Sequence, residues 1–460
     1  MEKQKKNEAN KKMFVKNNEK ISEAKRIIKE QKRKIKLEKQ NIRRKKISKF
    51  KKTKFGRVFC KIFFLFNEER NSYSFSELFG VTIVSLVLGF FVCFSVFMIL
   101  SGGRNYFKIS KQMDKFYDVY DVITSNYYGD VSEDKLIEAA INGMVSSVGD
   151  VYTSYNNVET TDEFEQMVNG TYEGIGCTII QMEDKISVVD VYKNSPASKA
   201  GIKENDIIKS VDGKSAIELG TEKLANYIKF EAKGKIELVI IREENEKKIT
   251  LERGKVEMPT VNSRIITKNE KKIGYVDISI FSSITAKQFK EALKDLEEDD
   301  IDSLVIDVRD NNGGYLSSVT EIASSLLPRG RAIYQIQTGD KKTVTKDKTI
   351  EKREYPIAIL INGGSASASE ILAAAIKESY EGYVVGMTSF GKGTVQQVKK
   401  LKDGSMIKYT VENWLTPDGN WINEKGIKPT HEVLLGEEYS NNPNDETDNQ
   451  LQKALELVSQ

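Results

Sequence analysis

The stretch YPIAILINGGSASASEI, residues 355–371, combines a strand, a turn and the start of a helix. Its first part, YPIAILI, is a short apolar run rich in isoleucine, which favours a strand. The glycine pair Gly363–Gly364 permits a tight turn, and the Ser-Ala repeat before Glu370 is typical of a helix N-terminus. A strand that passes directly into a helix is the repeating unit of an α/β fold.

The same alternation continues on both sides of this stretch. Strands are predicted at 273–281, 302–309, 355–361 and 383–387, and helices at 284–298, 316–327 and after residue 366. Strands that are joined by crossover helices indicate an α/β core. We place this core at residues 258–435.

Residues 167–257 show a different pattern. Short runs rich in isoleucine and valine occur at 185–192, 206–213 and 235–243, and a single helical stretch occurs at 221–231. Short strands with turns between them predict a mainly-β domain ahead of the α/β core.

The charge of the chain is divided unevenly. Residues 1–70 contain 26 Lys and Arg against 8 Asp and Glu, and the remaining residues contain 45 against 59. The chain therefore has a basic N-terminal tail, which we assign to residues 1–77, and an acidic body. Anionic lipid is the simplest partner for such a tail. No nucleic-acid-binding motif accompanies the charge, so no nucleic acid is expected as a partner.

A long apolar segment follows the tail. Residues 78–100 read LFGVTIVSLVLGFFVCFSVFMIL and carry no charge. As a helix they would span roughly 34 Å, enough for a hydrocarbon core of about 30 Å. A secretory signal peptide is the alternative. It fits poorly because the basic leader and the apolar run are too long, and no A-x-A-like site follows. We therefore predict a single transmembrane helix.

Basic residues predict the orientation of this helix. The stretch RRKKISKFKKTK, residues 43–54, precedes it, so the N-terminus should be cytoplasmic. Basic residues between 104 and 115 weaken this signal without reversing it. The chain beyond the helix is then expected on the extracytoplasmic side of the cell membrane.

Two smaller segments complete the domain organisation. In residues 101–166, apolar side chains at helical spacing and a capping serine, Ser132, predict a small helical subdomain. Residues 436–460 form a C-terminal tail, whose last part is a candidate oligomerisation helix. Of the cysteines Cys60, Cys93 and Cys177, only the last follows the apolar segment, so no intrachain disulfide is expected there.

The chain has a single histidine, His431, which restricts its chemistry. A Ser-His-Asp protease could use only this residue, and a His-rich metal site cannot be built. We read His431 as the start of a surface strand and as non-catalytic, and we expect neither a metal nor a cofactor. If the chain performs acyl transfer, its base is then a lysine.

Lys392 lies in the run VVGMTSFGKGTVQQ, residues 384–397. Gly386 to Lys392 fits the G-x-x-x-x-G-K pattern of a phosphate-binding loop, which makes a nucleotide-binding membrane protein a rival reading. However, Gly393 stands where Ser or Thr must hold Mg²⁺, and strand-like residues follow instead of a helix. A partly buried lysine has a lowered pKa and can accept a proton near neutrality.

Three stretches have the properties of an acyl-transfer site. VRDNNGGYL (308–316) ends a strand in a glycine turn, whose amides can point at a developing oxyanion. GGSASASEI (363–371) begins a helix, where free amides favour negative charge. FGKGTVQQ (390–397) supplies an amine and an amide side chain. Nothing local chooses among the three serines of the second stretch.

The mainly-β region resembles a PDZ domain. The matching parts are GIG (174–176), SPASKAGIKENDIIKSVDG (195–213) and the amphipathic helix that follows. The resemblance implies that a peptide C-terminus adds a strand beside CTIIQM, with loop amides near Ile175 and Gly176 holding its carboxylate. Leu224 would line the side-chain pocket. A small structural β-domain is the alternative.

The motifs in order resemble the C-terminal processing peptidases, a family of Ser-Lys serine proteases with an embedded PDZ domain. The family pattern R-x-N-x-G-G appears as Arg309–Gly314, followed by the S-A-S-A-S-E-I and F-G-K-G-x-x-Q-Q blocks. The segment LTPDGNWINEKGIKP (415–429) is similar to the closing signature of the family. The resemblance covers about residues 110–435. The long basic tail departs from the family, as does Asn312, where proline or a small residue is common.

The resemblance implies roles for the site residues: nucleophile Ser367, general base Lys392, lysine-orienting amide Gln396, and oxyanion-hole amides Gly313 and Ala368, with Gly314 as the alternative to Gly313. Each residue also has a purely structural alternative. For example, Ser367 and Glu370 together fit a helix capping box.

The sequence as a whole predicts a multidomain, membrane-anchored serine endopeptidase. Its fold would comprise an α/β protease core, an embedded mainly-β PDZ domain, a small helical N-terminal subdomain and one N-terminal transmembrane helix. Its substrates would be proteins or peptides with accessible, apolar or unstructured C-termini, and the family analogy favours a homo-oligomer. The alternative is a catalytically inert PDZ scaffold protein at the membrane.

Overall fold

The computed structural model describes residues 75–100 and 106–460, apart from Lys233 and residues 350–352, with scattered helical positions between Lys34 and Thr53. Most of the predicted basic tail lies outside the described residues. The chain divides into two units, Met1–Tyr128 and Gly129–Gln460. The predicted helical subdomain 101–166 is therefore shared between both units.

The first unit contains the apolar helix. Helix α1 (Phe75–Leu100) and helix α2 (Tyr106–Asn126) are its long elements among the described residues. Within α1, the span Leu78–Phe97 is long and apolar enough to cross a membrane, and none of it is buried against protein. Length and composition thus agree with the predicted membrane helix.

The second unit begins with the remainder of the helical subdomain. Its elements are α3 (Glu133–Ser146), β1 (Ser154–Asn156) and α4 (Val158–Asn169). The predicted cap of α3 is present, because the Ser132 side chain accepts a hydrogen bond from the Lys135 amide at 3.4 Å.

The segment predicted as a PDZ domain is mainly β. Its elements are β2 (Thr171–Gly174), β3 (Cys177–Met182), β4 (Lys185–Val191), α5 (Pro196–Lys199), β5 (Ile207–Val211), β6 (Lys214–Ser215), α6 (Ala216–Asn226), β7 (Lys235–Arg242), β8 (Asn245–Glu252) and β9 (Gly254–Glu257). The main sheet has the order β3-β4-β5-β7-β8, with β6 beside β5, and β2 pairs separately with β9. Strand β3 therefore lies at an edge of the sheet.

The helix predicted at 221–231 is present and ends in a π-helical turn, Tyr227–Glu231. A shorter helical stretch that begins at Ala216 precedes it within α6. Gly220 interrupts α6 with φ 72° and ψ 166°. Glycine adopts this conformation readily and other residues rarely do, so a glycine is suited to the point where the two helical stretches meet.

The α/β core alternates strands and helices in the predicted order. Its elements are β10 (Val261–Lys268), β11 (Lys271–Ile278), α7 (Thr285–Glu298), β12 (Ser303–Asp307), α8 (Leu316–Leu326), β13 (Ala332–Thr338), β14 (Lys341–Lys346), β15 (Ile357–Ile361), α9 (Ala368–Ala375), β16 (Tyr383–Gly386), β17 (Thr394–Lys400), β18 (Met406–Leu415) and β19 (His431–Glu432). Two short helices follow, α10 (Glu437–Asn441) and α11 (Asn449–Val458).

The central sheet has the order β10-β11-β12-β15-β16-β19. All neighbours are parallel except the antiparallel pair β10–β11. Strand β15 accounts for the apolar run YPIAILI, residues 355–361. Ile357, Ile359 and Ile361 join the core under helices α7, α8 and α9, whereas Ala358 and Leu360 join the core on the opposite face. A strand that is covered on both faces needs apolar residues at every position.

Helix α11 covers that second face of the sheet. Leu451, Ala454, Leu455 and Val458 are at most 1% exposed and pack in the same cluster as Leu360. The apolar face that an oligomerisation helix would need is therefore occupied within the chain.

A second sheet stands beside the core. Its order is β1-β18-β13-β14, and β17 also pairs with β18. The β17–β18 hairpin follows the loop that carries Lys392, and β1 brings the end of the helical subdomain to the same sheet. This arrangement places β1, from the first part of the second unit, in the sheet that follows the predicted catalytic loop.

Candidate active site

The predicted nucleophile lies in the turn between β15 and α9. Ser367 precedes the first residue of α9 and has φ 55° and ψ −110°, a conformation that non-glycine residues rarely adopt. Such a strained residue persists only where surrounding contacts hold it, and strain of this kind clusters at functional sites. Among the three serines of this turn, only Ser367 has a positive φ.

The side chains of the three serines differ in their hydrogen bonds. Ser365 donates to the Val308 carbonyl at 2.8 Å, and Ser369 donates to the Asn311 carbonyl at 2.7 Å. Both serines are fully buried. The Ser367 hydroxyl is half-buried and donates to no residue that the structure describes. Two serines therefore brace the turn, and Ser367 alone has a hydroxyl proton available for chemistry.

Glu370 joins the Ser367 turn to the lysine loop. Its Oε2 accepts the amides of Ser367 at 2.8 Å and Lys392 at 2.9 Å. Its Oε1 accepts the Ser389 hydroxyl at 2.6 Å and the Gly391 amide at 2.7 Å. Burial raises the pKa of this fully buried carboxyl, and the four hydrogen bonds oppose that shift. One carboxylate thus fixes the backbone of both predicted catalytic residues.

Sequence reasoning identified Glu370 only as a helix cap. The missed signal is a single glutamate in an otherwise apolar helix start, followed by Ile371 and a run of alanines. A carboxylate that points into a core needs several donors. The lysine loop that supplies them lies too far along the sequence for a local pattern to reveal.

Lys392 is half-buried in the loop between β16 and β17. Burial, and then the positive charge of Lys408, lower the pKa of its amine, whereas the charges of Glu370 and Asp150 raise it; the net shift is downward. Its Nζ lies 5.0 Å from the centre of the Tyr152 ring. A lysine with a lowered pKa holds more of the neutral amine that a general base requires.

Gln396 lies on β17 beside this loop. Its Nε2 donates to Thr394 Oγ1 at 2.9 Å and to Thr410 Oγ1 at 3.2 Å. Its Oε1 accepts from no side chain or amide among the described residues. The predicted hydrogen bond to Lys392 is therefore not formed in this structure, and the acceptor atom that it needs is free.

The glycine turn after β12 touches the nucleophile turn. A side chain at Gly313 would lie 2.9 Å from Ser367 Cβ and 3.0 Å from the Ala368 amide nitrogen, so only glycine permits this approach. The Gly313 amide, however, donates to Asn311 Oδ1 at 2.8 Å. The amides of Gly314 and Ala368 have no partner among the described residues. The structure thus favours Gly314 over Gly313 as the first oxyanion donor, because the Gly313 amide is already engaged.

The rival sites receive no support from the geometry. Strand β17 follows the Gly386–Lys392 loop, whereas a phosphate-binding loop must lead into a helix. His431 pairs with Val385 at the edge of the central sheet, and its Nδ1 meets Thr430 Oγ1 at 3.1 Å. Among the described residues, no group of three His, Cys, Asp or Glu side chains could hold a metal.

Comparison with known proteins identifies the family. Three family descriptions match in order: "Activating protease CtpB N-terminal domain" over 99–160, "PDZ domain" over 187–242 and "Peptidase family S41" over 272–433. The "Carboxy-terminal processing protease CtpB" of Bacillus subtilis (strain 168) is 40% identical over 340 residues, covering 72% of this chain and 70% of that protein. This chain belongs to the carboxy-terminal processing proteases of family S41.

Further relatives have similar names. A "Probable CtpA-like serine protease" of Staphylococcus aureus (strain bovine RF122 / ET3-1) is 35% identical over 320 residues, covering 69% of this chain and 64% of that protein. The solved structure of a "Photosystem II D1 C-terminal processing protease" has 25% sequence identity and a TM-score of 0.41, covering 75% of this chain and 96% of that one. The matching family descriptions and the 40% identical CtpB relative show that the chain is a serine-type peptidase with a PDZ domain, as the sequence predicted.

The PDZ domain of this protease has an open groove between β3 and α6. Ile175 and Gly176 line the groove, and their amides have no partner among the described residues. Leu224 is not among the residues that line it, so the predicted contact of Leu224 with a peptide stays a prediction. Its side chain is fully buried in the core of the domain, and the helix presents Ala225 and Ile228 to the groove instead. Neighbouring helical positions point about 100° apart, so Leu224 faces the core of the domain while Ala225 faces the groove.

Proposed function

We propose that this protease hydrolyses peptide bonds with Ser367 as nucleophile and Lys392 as general base. The neutral amine of Lys392 takes the hydroxyl proton as Ser367 Oγ attacks the substrate carbonyl. The amides of Gly314 and Ala368 stabilise the oxyanion. Lys392 then gives its proton to the leaving amine, and water hydrolyses the acyl-enzyme with the same amine as base.

The main support for this proposal is the pair of backbone hydrogen bonds that Glu370 accepts from Ser367 and Lys392. One buried carboxylate oxygen binds the backbone of both Ser367 and Lys392, and so holds a serine with a free hydroxyl beside a lysine with a lowered pKa. These two properties are the ones that a Ser-Lys dyad requires.

The dyad is tested by cleavage of a flexible protein such as casein. We expect Ser367→Ala and Lys392→Ala to lower kcat by about a thousandfold or more, because each removes a reacting group. Lys399→Ala is the matched control, since Lys399 is an exposed lysine on the neighbouring strand. If Lys392→Ala cleaves casein like the wild type, the dyad is wrong.

The pH profile gives a second test. Because the neutral amine is the active form, kcat/KM should rise as the pH increases through the pKa of Lys392. The charge of Lys408 lowers that pKa. Lys408→Met removes this charge, so we expect the acid limb of the kcat/KM profile to move to higher pH. An acid limb that stays in place would show that another group titrates.

We also propose that the PDZ domain binds substrate C-termini. Strand β3 is a sheet edge with unpaired backbone groups, as β-augmentation requires. The amides of Ile175 and Gly176, which line the groove and have no partner among the described residues, suit a carboxylate. The protease domain would then cut within the tethered substrate.

We propose, finally, that helix α1 anchors the protease in the cell membrane, with the N-terminus cytoplasmic and the PDZ and protease domains extracytoplasmic. Its exposed apolar span supports a lipid environment, because side chains such as Phe90 and Phe91 are about two-thirds exposed. The basic tail would bind anionic lipid on the cytoplasmic side, and the family resemblance favours a homo-oligomer.

A further inference from the structure

A turn from the helical subdomain contacts strand β18 of the protease core. Asp150 lies between α3 and β1, and its Oδ1 accepts the Tyr152 amide at 3.0 Å. Its Oδ2 accepts the hydroxyls of Thr153 at 2.5 Å and of Thr410 at 2.6 Å. Thr410 belongs to β18 of the protease core, far away in sequence.

The bond from Thr410 to Asp150 determines what else Thr410 can do. A hydroxyl has one proton, and this one is given to a carboxylate, the strongest neighbouring acceptor. The Thr410 oxygen can therefore only accept further hydrogen bonds. It accepts one from Gln396 Nε2 at 3.2 Å.

A β-bulge brings Thr410 and Gln396 together. The register between β17 and β18 shifts at this point, so that Val395 pairs with Glu412 but Gln396 pairs with Thr410. Without the extra residue, Val411 would stand opposite Gln396. Bulges often re-aim a side chain next to an active site. Directly opposite residues share one face of a sheet, so the bulge replaces an apolar partner with a hydroxyl.

This hydroxyl determines which way the Gln396 amide points. Both hydrogens of Nε2 are used, one by Thr394 and one by Thr410. A flipped amide would place its oxygen against the Thr410 oxygen, whose proton is committed to Asp150, and two acceptors would face each other. The unflipped amide leaves Oε1 free to accept.

We infer that Asp150 and Thr410 are positioning residues. They hold Gln396 with its Oε1 unoccupied, so that during catalysis this oxygen can accept one hydrogen of the Lys392 amine and aim the lone pair of that amine at Ser367. This inference rests on the proposed Ser367–Lys392 dyad. A general base acts only when its lone pair faces the proton that it takes, and a small misplacement costs up to about a hundredfold in rate.

The positioning turn is contributed by the segment ahead of the PDZ domain. Strand β1, which follows the turn, pairs with β18 at Ser154–Lys408 and two further positions. The charged and titratable groups that act on Lys392 are Asp150, Glu370 and Lys408, and the Tyr152 ring faces its amine. Docking of this segment on β18 therefore completes the surroundings of the catalytic base.

A matched pair of variants at Thr410 tests the inference. Thr410→Val removes the hydroxyl at nearly constant volume, and we expect kcat on casein to fall 10- to 100-fold with KM within about twofold. Thr410→Ser keeps the hydroxyl, and we expect its kcat to lie within about threefold of the wild-type value. A role in packing alone would affect both variants alike or change stability without this difference.

The pH profile separates the charge of Asp150 from its hydrogen bond. Asp150 raises the pKa of Lys392, so Asp150→Asn should move the acid limb of kcat/KM to lower pH. Thr410→Val keeps the charge, and its acid limb should stay in place. Asp403→Asn, at an exposed carboxylate of the β17–β18 hairpin, is the control and should shift nothing. This measurement stands even if Thr410→Val fails to fold.

The inference is overturned if folded Thr410→Val matches the wild type, if Thr410→Ser is as impaired as Thr410→Val, or if Asp150→Asn leaves the acid limb in place. These results are distinguishable from a failure of the dyad. If Ser367→Ala and Lys392→Ala are inactive while Thr410→Val is fully active, only the positioning role is wrong. If Lys392→Ala is active, the dyad itself is wrong.

Discussion

The backbone of Ser367 stores strain where the proposed chemistry occurs. A φ of 55° with a ψ of −110° is costly for serine, by about 1–3 kcal/mol. The hydroxyls of Ser365 and Ser369 donate hydrogen bonds around the turn, and the Glu370 carboxylate accepts the Ser367 amide; together they hold the turn in place. The bracing residues are buried and the braced residue is not, which is the arrangement expected of a presented nucleophile.

At this scale we predict the effect of Glu370→Gln. A glutamine has one acceptor oxygen and one amino group, so at least one amide or hydroxyl that Glu370 now binds would face another donor. We expect a loss of about 1–3 kcal/mol in the free energy of unfolding, measured in urea, and a marked loss of cleavage. Glu381→Gln, at an exposed carboxylate, should stay within about 0.5 kcal/mol. Equal stability of the two variants would show that the four hydrogen bonds of Glu370 do not hold the turn and the loop together.

Elements were predictable where their pattern is set by burial. Strand β15 was recognisable because it is covered on both faces, and its apolar run has no polar interruption. The position of Leu224 was not predictable with the same precision. The amphipathic pattern locates the helix, but the face that lines the groove depends on how the helix packs on β3.

At the scale of the PDZ loop we predict that Gly176→Ala abolishes binding of a C-terminal peptide. A side chain there would lie 2.4 Å from Ser195 Cβ, and φ is +80°, so the loop must shift. Gly213→Ala is the matched control, because φ is +78° and no atom lies within 4 Å. An apolar fluorescent peptide with a free carboxylate is titrated by anisotropy, and its amidated form should bind at least about tenfold more weakly. Equal binding of both peptides would contradict carboxylate recognition.

At the scale of the second unit, an ion-pair cluster joins the glycine turn after β12 to the last helix. Arg309 precedes that turn and is half-buried between Asp307, at 2.6 Å, and Asp448 at the start of α11, at 2.7 Å. Both carboxylates raise the pKa of the guanidinium, whereas burial opposes them. The last helix of the chain thus supports the strand that leads to the predicted oxyanion amides.

We therefore predict that Asp448→Asn destabilises the protease by about 3 kcal/mol, because it leaves a buried guanidinium with one carboxylate fewer. Unfolding in urea measures this loss. Asp445→Asn is the control, since Asp445 pairs with Arg264 at an exposed site and should contribute less than about 1 kcal/mol. If the two variants lose the same stability, Arg309 does not depend on α11.

Membrane anchoring is also a property of the whole chain. We expect the full-length protease to resist extraction by alkaline carbonate, and a chain that begins at residue 106 to be soluble, because the exposed apolar span of α1 is then absent. Protease added to intact cells or spheroplasts should digest the domains after α1. Protection of those domains would reverse the proposed orientation.

The sequence alone was sufficient to predict the family, the order of strands and helices, and Ser367 and Lys392 as candidate site residues. These features depend on motifs and on apolar patterns, which involve only residues that are close together in the sequence. Only the tertiary structure showed that, among the described residues, the Ser367 hydroxyl donates to no partner and the Gly314 amide has none. It also showed that Glu370, Asp150 and Thr410 lie around the predicted site. These features depend on hydrogen bonds between segments as far apart as residues 150 and 410. A donor has one proton to give, and which acceptor receives it is decided only when distant strands pair.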